Sequence, residues 1–202
     1  MTASPHAVHL AQLNVATLLH PFDDPRVKPF VDLLDPVNAA ADDAPGFVWR
    51  LVEEGAADAT GLRPAGEDVI VNLSVWETQE ALWDFAYRSG HLEAMRRRRE
   101  WFARHAEAHL VLWWVPAGHL PTVGEALERL TDLRAHGPSP RAFTFASSST
   151  AAEAARHLGD VPSATSPATG GHRRPGEPLE RPVRSPDVRA GVHPGPQGRR
   201  SS

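Results

Sequence analysis

Alternating apolar and polar positions predict four β-strands, over residues 9–19, 46–52, 69–76 and 109–115. Successive side chains of a strand point to opposite faces of a sheet, so alternation indicates two faces with different surroundings. The third segment has the clearest pattern, because its odd positions from Val69 to Val75 are all apolar. Its even positions are mixed: Ile70, Asn72, Ser74 and Trp76.

A helix is predicted between the first two strands by apolar residues at the spacing i, i+3, i+4 and i+7. These residues are Val27, Phe30, Val31 and Leu34. Asp24 and Pro25 are predicted to be its N-cap and first residue, and Pro36 is predicted to kink or break it.

Three more helices are predicted farther along the chain. Thr78 is expected to cap a helix after the third strand, and another is expected over residues 91–105. Thr122 and Glu125 fit a capping box at the start of the last helix, and Gly137 followed by proline should end it.

The element order β-α-β-β-α-β with one terminal helix predicts a ferredoxin-like α+β fold, with its helices on one face of one sheet. We expect the apolar face of the third strand to lie under those helices. The mixed face then needs another cover because it carries large side chains such as Trp76. The simplest cover is the sheet of a second copy, which predicts a homodimer, a dimeric α+β barrel with a chamber between its sheets.

The chain changes character after Phe145. All 14 aromatic residues lie before Ala146, and the segment 146–202 is rich in Pro, Gly, Ser and Arg. Such a composition buries too little apolar surface to offset the entropy of ordering. The prediction is a folded domain over residues 1–145 and a disordered tail over residues 146–202. A short helix within 150–158 is the alternative, and removal of the tail should leave the melting temperature unchanged.

Composition excludes several classes of protein. The chain has no cysteine, which rules out disulfides, thiolate metal sites and cysteine nucleophiles. Its 21 basic and 25 acidic residues give a net charge of −4, so no nucleic-acid partner is expected. No segment has the pattern of a signal peptide or a membrane span, so the expected location is cytoplasmic, without membrane contact.

Six segments between residues 8 and 145 carry a resemblance to a known family: LAQLNVA, PGFVWRL, VNLSVWET, RRRREWF, LWWVPAGHLPTVGEA and HGPSPRAFTF. In this order they resemble one uncharacterised bacterial family, a domain of unknown function. That family is similar to the antibiotic-biosynthesis-monooxygenase-like dimeric α+β barrels, through its topology and through Trp76 followed by Ala81, Leu82 and His91.

The resemblance implies a chamber for a small apolar or aromatic molecule. Part of the superfamily consists of cofactor-independent oxygenases of polyketide-type aromatics, so no cofactor is expected. The haem-degrading branch is similar at Asn14, but Phe85 and Met95 stand where that branch has Trp and His, which argues against haem degradation. Haem binding by a chamber histidine stays a separate hypothesis.

Candidate chamber residues come from strand parity and from one helix start. At the helix start, a neutral His91 is the candidate base, because it could take a proton from a phenol or enol whose carbanion then reacts with oxygen. Asn14 is the second candidate catalytic residue and would orient a substrate oxygen with Asn72. The predicted ligand-binding residues are Asn72, Ser74, Trp76, Trp49, Arg98 and Trp114.

The alternative is a non-catalytic ligand-binding or interaction module. In that interpretation the chamber amides only bond to each other or to water, His91 caps its helix, and Arg98 lies on a solvated surface. His105 and His109 are four residues apart, but no third ligand has a fixed spacing from them, so no metal is expected.

Overall fold

A computed structural model of the chain describes residues 7–88 and 95–159, which belong to one compact unit. The strands are β1 (Val8–Thr17), β2 (Phe47–Arg50), β3 (Val69–Trp76) and β4 (Leu110–Pro116). The helices are α1 (Lys28–Asp42), α2 (Gln79–Arg88), α3 (Val123–His136) and α4 (Ala151–Gly159). Among the described helices, none is long and apolar enough to cross a membrane.

The four strands form one antiparallel sheet with the order β2-β3-β1-β4. Together with the chain order, this is the predicted ferredoxin-like α+β fold, with α3 added after the last strand. The outer edge of β4 is covered by a short antiparallel bridge, in which Leu112 and Phe143 exchange backbone hydrogen bonds of 2.8 and 2.9 Å.

Helices α1 and α2 cover the mixed face of the sheet, so the predicted assignment of the two faces is wrong. Trp76 is buried against Leu82 of α2, and Ile70 is buried in a cluster that Phe30 of α1 packs against. The mixed face therefore has its cover within one chain, and a chamber between two sheets would not be lined by it.

The apolar face is covered by α3, which packs on β1 and β4 with Ala126, Leu130 and Leu133. As predicted, Thr122 caps this helix, and its Oγ1 accepts from the Glu125 N–H at 3.1 Å. The Glu125 carboxylate instead binds the sheet, since it accepts from the Trp113 indole N–H at 3.2 Å and lies 2.8 Å from His119 Nε2. One residue thus joins the start of α3 to β4.

A β-bulge in β2 overturns the simple alternation predicted there. Phe47 pairs with Trp76, whereas Trp49 pairs with Val75, which points to the other face. A bulge inserts one extra residue into a strand and so reverses the parity of the residues after it. Phe47 and Trp49 therefore lie on opposite faces of the sheet.

Helix α1 begins later than predicted and continues through Pro36. Asp24 caps a turn before the helix, where its carboxylate accepts from the Arg26 N–H at 2.9 Å, and Val27 is the N-cap. Pro36 lies inside the helix without ending it. A proline removes one helical hydrogen bond, and contacts made before it by Phe30 and after it by the buried Ala41 keep both halves against the fold.

The helix predicted over residues 91–105 ends earlier than expected. Its first residues lie outside the described part of the chain; residues 95–97 are helical and Arg98–Glu100 form a 3₁₀ turn. Beyond this turn the backbone bonds to the end of β1, with Leu19 N–H donating to Trp101 and Ala103 N–H donating to Thr17. Sheet-like pairing therefore replaces the helix after Trp101.

Residues after Phe145, where the folded domain was expected to end, contact strands of the sheet. The Ser149 carbonyl accepts from the Trp114 indole N–H at 2.8 Å. Helix α4 contacts β1 and β4, and its Ala154 is buried. From these contacts we expect residues 146–159 to contribute to stability.

We expect a chain ending at Phe145 to melt roughly 3–8 °C below a chain ending at Gly159. Without residues 146–159 the Trp114 indole loses its acceptor and the Ala154 contacts are lost. Differential scanning calorimetry of the two chains measures the difference, and both lack the same later residues. Equal melting temperatures would show that these contacts are not stabilising.

Candidate functional site

Polar residues interrupt the apolar surface of the face covered by α1 and α2. One buried cluster, with Leu10, Trp76 and Leu112, lies against α2, and another, with Leu18 and Ile70, lies against α1. Four polar side chains on β1 and β3 belong to neither cluster. We call them the polar patch: Gln12, Asn14, Asn72 and Ser74.

Strand register brings the polar patch together. Gln12 lies opposite Ser74, and Asn14 lies opposite Asn72, in the antiparallel pairing of β1 with β3. Residues directly opposite each other share a face, with Cβ atoms about 4.5–5.5 Å apart. The four side chains therefore form a compact block in the middle of the sheet.

A chain of hydrogen bonds crosses one half of the patch. The Trp76 indole N–H donates to Ser74 Oγ at 3.0 Å, and the Ser74 hydroxyl donates to Gln12 Oε1 at 2.9 Å. All three residues are buried. Hydrogen bonds between buried groups are stronger than in water, and each one lost leaves a costly unpaired group.

The other half of the patch is unsatisfied. Asn14 Oδ1 is buried and has no hydrogen-bond partner. Asn72, opposite it, is exposed, and none of the hydrogen bonds among described residues uses its amide. A buried acceptor beside an accessible amide is typical of a site that water or a ligand completes.

The structure brings four of the predicted site residues together: Asn14, Asn72, Ser74 and Trp76. Trp76 differs from its predicted role as a chamber wall, because it is 1% exposed. Its ring stacks on Phe85 at 5.1 Å and meets Phe47 edge-on at 5.2 Å. Its indole N–H links it to the patch through Ser74.

Two other predicted ligand residues lie apart from the patch. Trp49 lies on the opposite face, because the bulge in β2 reverses the strand parity. Trp114 shares the face of the patch but lies next to Leu10 in the register, and Ser149 occupies its indole N–H.

The structure leaves the predicted base untested, and it gives the predicted cation a local contact. His91 lies outside the described residues. Arg98 is exposed and donates to the Met95 carbonyl at 2.9 Å. Its neighbour Arg97, rather than Arg98, stacks on the Trp101 ring, at 4.9 Å from the ring centroid.

Gln12 was not among the predicted site residues, although it lies on the same face of β1 as Asn14. The signal was its parity, because Gln12 alternates with buried Ala11 and Leu13 on β1. Its link to Trp76 through Ser74 depends on the register between β1 and β3, which no local pattern predicts.

The histidine pair considered for a metal is arranged differently from a metal site. The rings of His105 and His109 are stacked, with centroids 5.2 Å apart. Partial burial and the neighbouring His105 lower the pKa of His109 below its usual value. Within the described residues, no group of three or more His, Asp or Glu side chains could hold a metal.

The fold and the patch define a class of protein: a ferredoxin-like α+β domain with an incompletely satisfied polar patch under its helices. The chain belongs to the family described as Domain of unknown function (DUF3291), whose model matches residues 9–159. The family resemblance inferred from the six sequence segments is confirmed. No curated protein matches the chain significantly.

Several solved structures are similar to the chain at low identity. SnoaB, a cofactor-independent oxygenase from Streptomyces nogalater, is 16% identical over 56% of this chain and 97% of its own, with a TM-score of 0.38. A conserved protein from Methanosarcina mazei Go1 is 12% identical over 55% and 94%, with a TM-score of 0.39. A monooxygenase from the gene ActVA-Orf6 of Streptomyces coelicolor, in complex with the ligand Nanaomycin D, is 17% identical over 59% and 96%, with a TM-score of 0.30.

We expect Ser74→Ala to lower the free energy of unfolding by about 1–3 kcal/mol, because it leaves Trp76 Nε1 and Gln12 Oε1 buried without their partner. Urea unfolding measures the loss. Ser147→Ala is the matched control, since that serine is exposed and its side-chain hydroxyl bonds to the Thr144 hydroxyl at 3.0 Å. Equal stabilities of the two variants would contradict the importance of this hydrogen-bond chain.

Proposed function

We propose that this protein binds a small aromatic or polyketide-type molecule at the polar patch and oxidises it as a cofactor-independent, monooxygenase-like enzyme. The observation that carries the proposal is the buried, unpartnered Asn14 Oδ1 beside the exposed Asn72. A burial cost of roughly 1–3 kcal/mol for such a group is offset when a ligand supplies the missing hydrogen bond.

The proposed reaction uses acidity in the substrate instead of a bound cofactor. Asn14 and Asn72 orient a substrate oxygen, and His91 takes a proton from the phenol or enol. The resulting carbanion bonds to dioxygen, and loss of water from the hydroperoxide leaves a carbonyl. A substrate CH₂ and one O₂ thus become C=O and H₂O, so the reaction needs no external reductant.

A non-catalytic ligand-binding module is the second candidate function. The observation that favours it is the chemistry of the patch itself, which consists of three carboxamides and one hydroxyl. None of these groups titrates near neutral pH, so they can bind an oxygen atom but cannot act as a base. Catalysis therefore depends on His91.

We expect a ligand from a panel of naphthols and hydroquinones to raise the melting temperature of the protein and to support oxygen uptake. Asn72→Ala should remove most of the stabilisation by ligand, whereas Thr131→Ala, an exposed polar residue on α3, should retain it. Differential scanning fluorimetry and an oxygen electrode measure the two effects.

The His91→Ala variant separates the two candidate functions. Loss of uptake with binding retained supports the enzyme, and stabilisation without uptake in the wild type supports the binding module. If no member of the panel stabilises the wild type, the proposed site is wrong.

We also propose a homodimer, formed through the face that carries α3. Helix α3 packs on β1 and β4, while Val48, Trp49 and Leu51 are half-buried at the β2 side of that face. A second copy would cover this apolar strip. The family resemblance to dimeric barrels supports the same arrangement.

Sedimentation velocity at micromolar concentration should show a dimer, and Leu51→Asp should shift it to monomer. Leu19→Asp, the same change at an exposed leucine outside this strip, should leave the dimer intact. A wild type that sediments only as monomer would exclude the proposed interface.

A further inference from the structure

The side-chain amide of Gln12 has a hydrogen-bond partner at its carbonyl oxygen but none among the described residues at its nitrogen. Its side chain is 6% exposed, and its Oε1 accepts from Ser74. None of the hydrogen bonds among described residues uses its Nε2. Gln12 is thus the most enclosed of the three carboxamides in the patch.

The hydrogen-bond chain determines which end of the Gln12 amide is free. An indole N–H is only a donor, so Ser74 Oγ must accept from Trp76. The single hydroxyl hydrogen of Ser74 then points to Gln12, and only the carbonyl oxygen of an amide can accept it. With this direction of donation, the NH₂ group of Gln12 is the end left for another partner.

The free donor lies beside a free acceptor. Gln12 and Asn14 are two residues apart on the same face of β1, about 6.5 Å between Cα atoms. Gln12 offers an N–H, and Asn14 offers the buried Oδ1 that has no partner. A ligand edge that carries an acceptor oxygen next to a donor would satisfy both groups.

We propose that Gln12 is a specificity-determining residue of the ligand site: its Nε2 donates to a carbonyl or phenolate oxygen of the ligand, and Trp76 and Ser74 hold the amide in that orientation. This inference rests on the proposed function, because it names the chemical group that the same site recognises. It makes Trp76 a positioning residue that acts through Ser74.

The test compares two probes that differ in hydrogen-bonding character. 1,4-Naphthoquinone has only acceptor oxygens, and 1-naphthol has a hydroxyl that can also donate. Gln12→Glu keeps an acceptor for Ser74 but replaces the free donor with an acceptor. At pH 8, isothermal titration calorimetry should show about tenfold weaker binding of the quinone to this variant and a less than twofold change for the naphthol.

Gln79→Glu is the matched control, because it makes the same chemical change at the start of α2 and should alter neither affinity. A measurement without ligand tests the orientation itself. The side-chain NH₂ signals of Gln12 in a ¹H–¹⁵N spectrum should shift, and exchange faster with water, in Ser74→Ala and in Trp76→Phe.

Each result decides one part of the inference. Unchanged Gln12 signals in Ser74→Ala would overturn the positioning role of Trp76 and Ser74. Equal effects of Gln12→Glu on both probes, or no effect on either, would overturn the specificity role while leaving the proposed site intact. If neither probe binds the wild type, the proposed function fails and the role of Gln12 fails with it.

Discussion

The structure depends on one constraint: a four-stranded sheet with apolar side chains on both faces must be covered on both. Helices α1 and α2 cover one face, and α3 covers part of the other. Burial of apolar side chains stabilises by roughly 25 cal/mol per Å² on either face. Because the first cover lies over the mixed face, Gln12 and Ser74 in the middle of β1 and β3 are buried within a single chain, whereas Asn72 stays exposed.

Enclosure gives these polar residues their chemical significance. Trp76, Ser74 and Gln12 satisfy one another in a directed chain of two hydrogen bonds, whereas Asn14 Oδ1 is left without a partner. A buried polar group that is only partly satisfied destabilises a fold unless something completes it. The same contacts therefore explain both the stability of one half of the patch and the binding capacity of the other.

Features that depend on short sequence signals were predicted well. The alternation of β3, the Thr122 cap of α3 and the Thr78 cap of α2 all appear where local pattern placed them. Predictions failed where a distant contact competed with a local one. The bulge between Phe47 and Trp49 is defined by pairing with β3, and the segment after Trp101 leaves its helix to pair with the end of β1.

By itself, the sequence determined the element order, the ferredoxin-like fold class and the parity that puts Asn14, Asn72, Ser74 and Trp76 on one face, because these depend on periodicity within single segments. Only the tertiary structure decided which face the helices cover, that Trp76 is buried beneath α2, and that Gln12 is its partner through Ser74. Those outcomes depend on register and packing between distant residues, such as Gln12 and Ser74, which are 62 positions apart, and no local window of the sequence contains both.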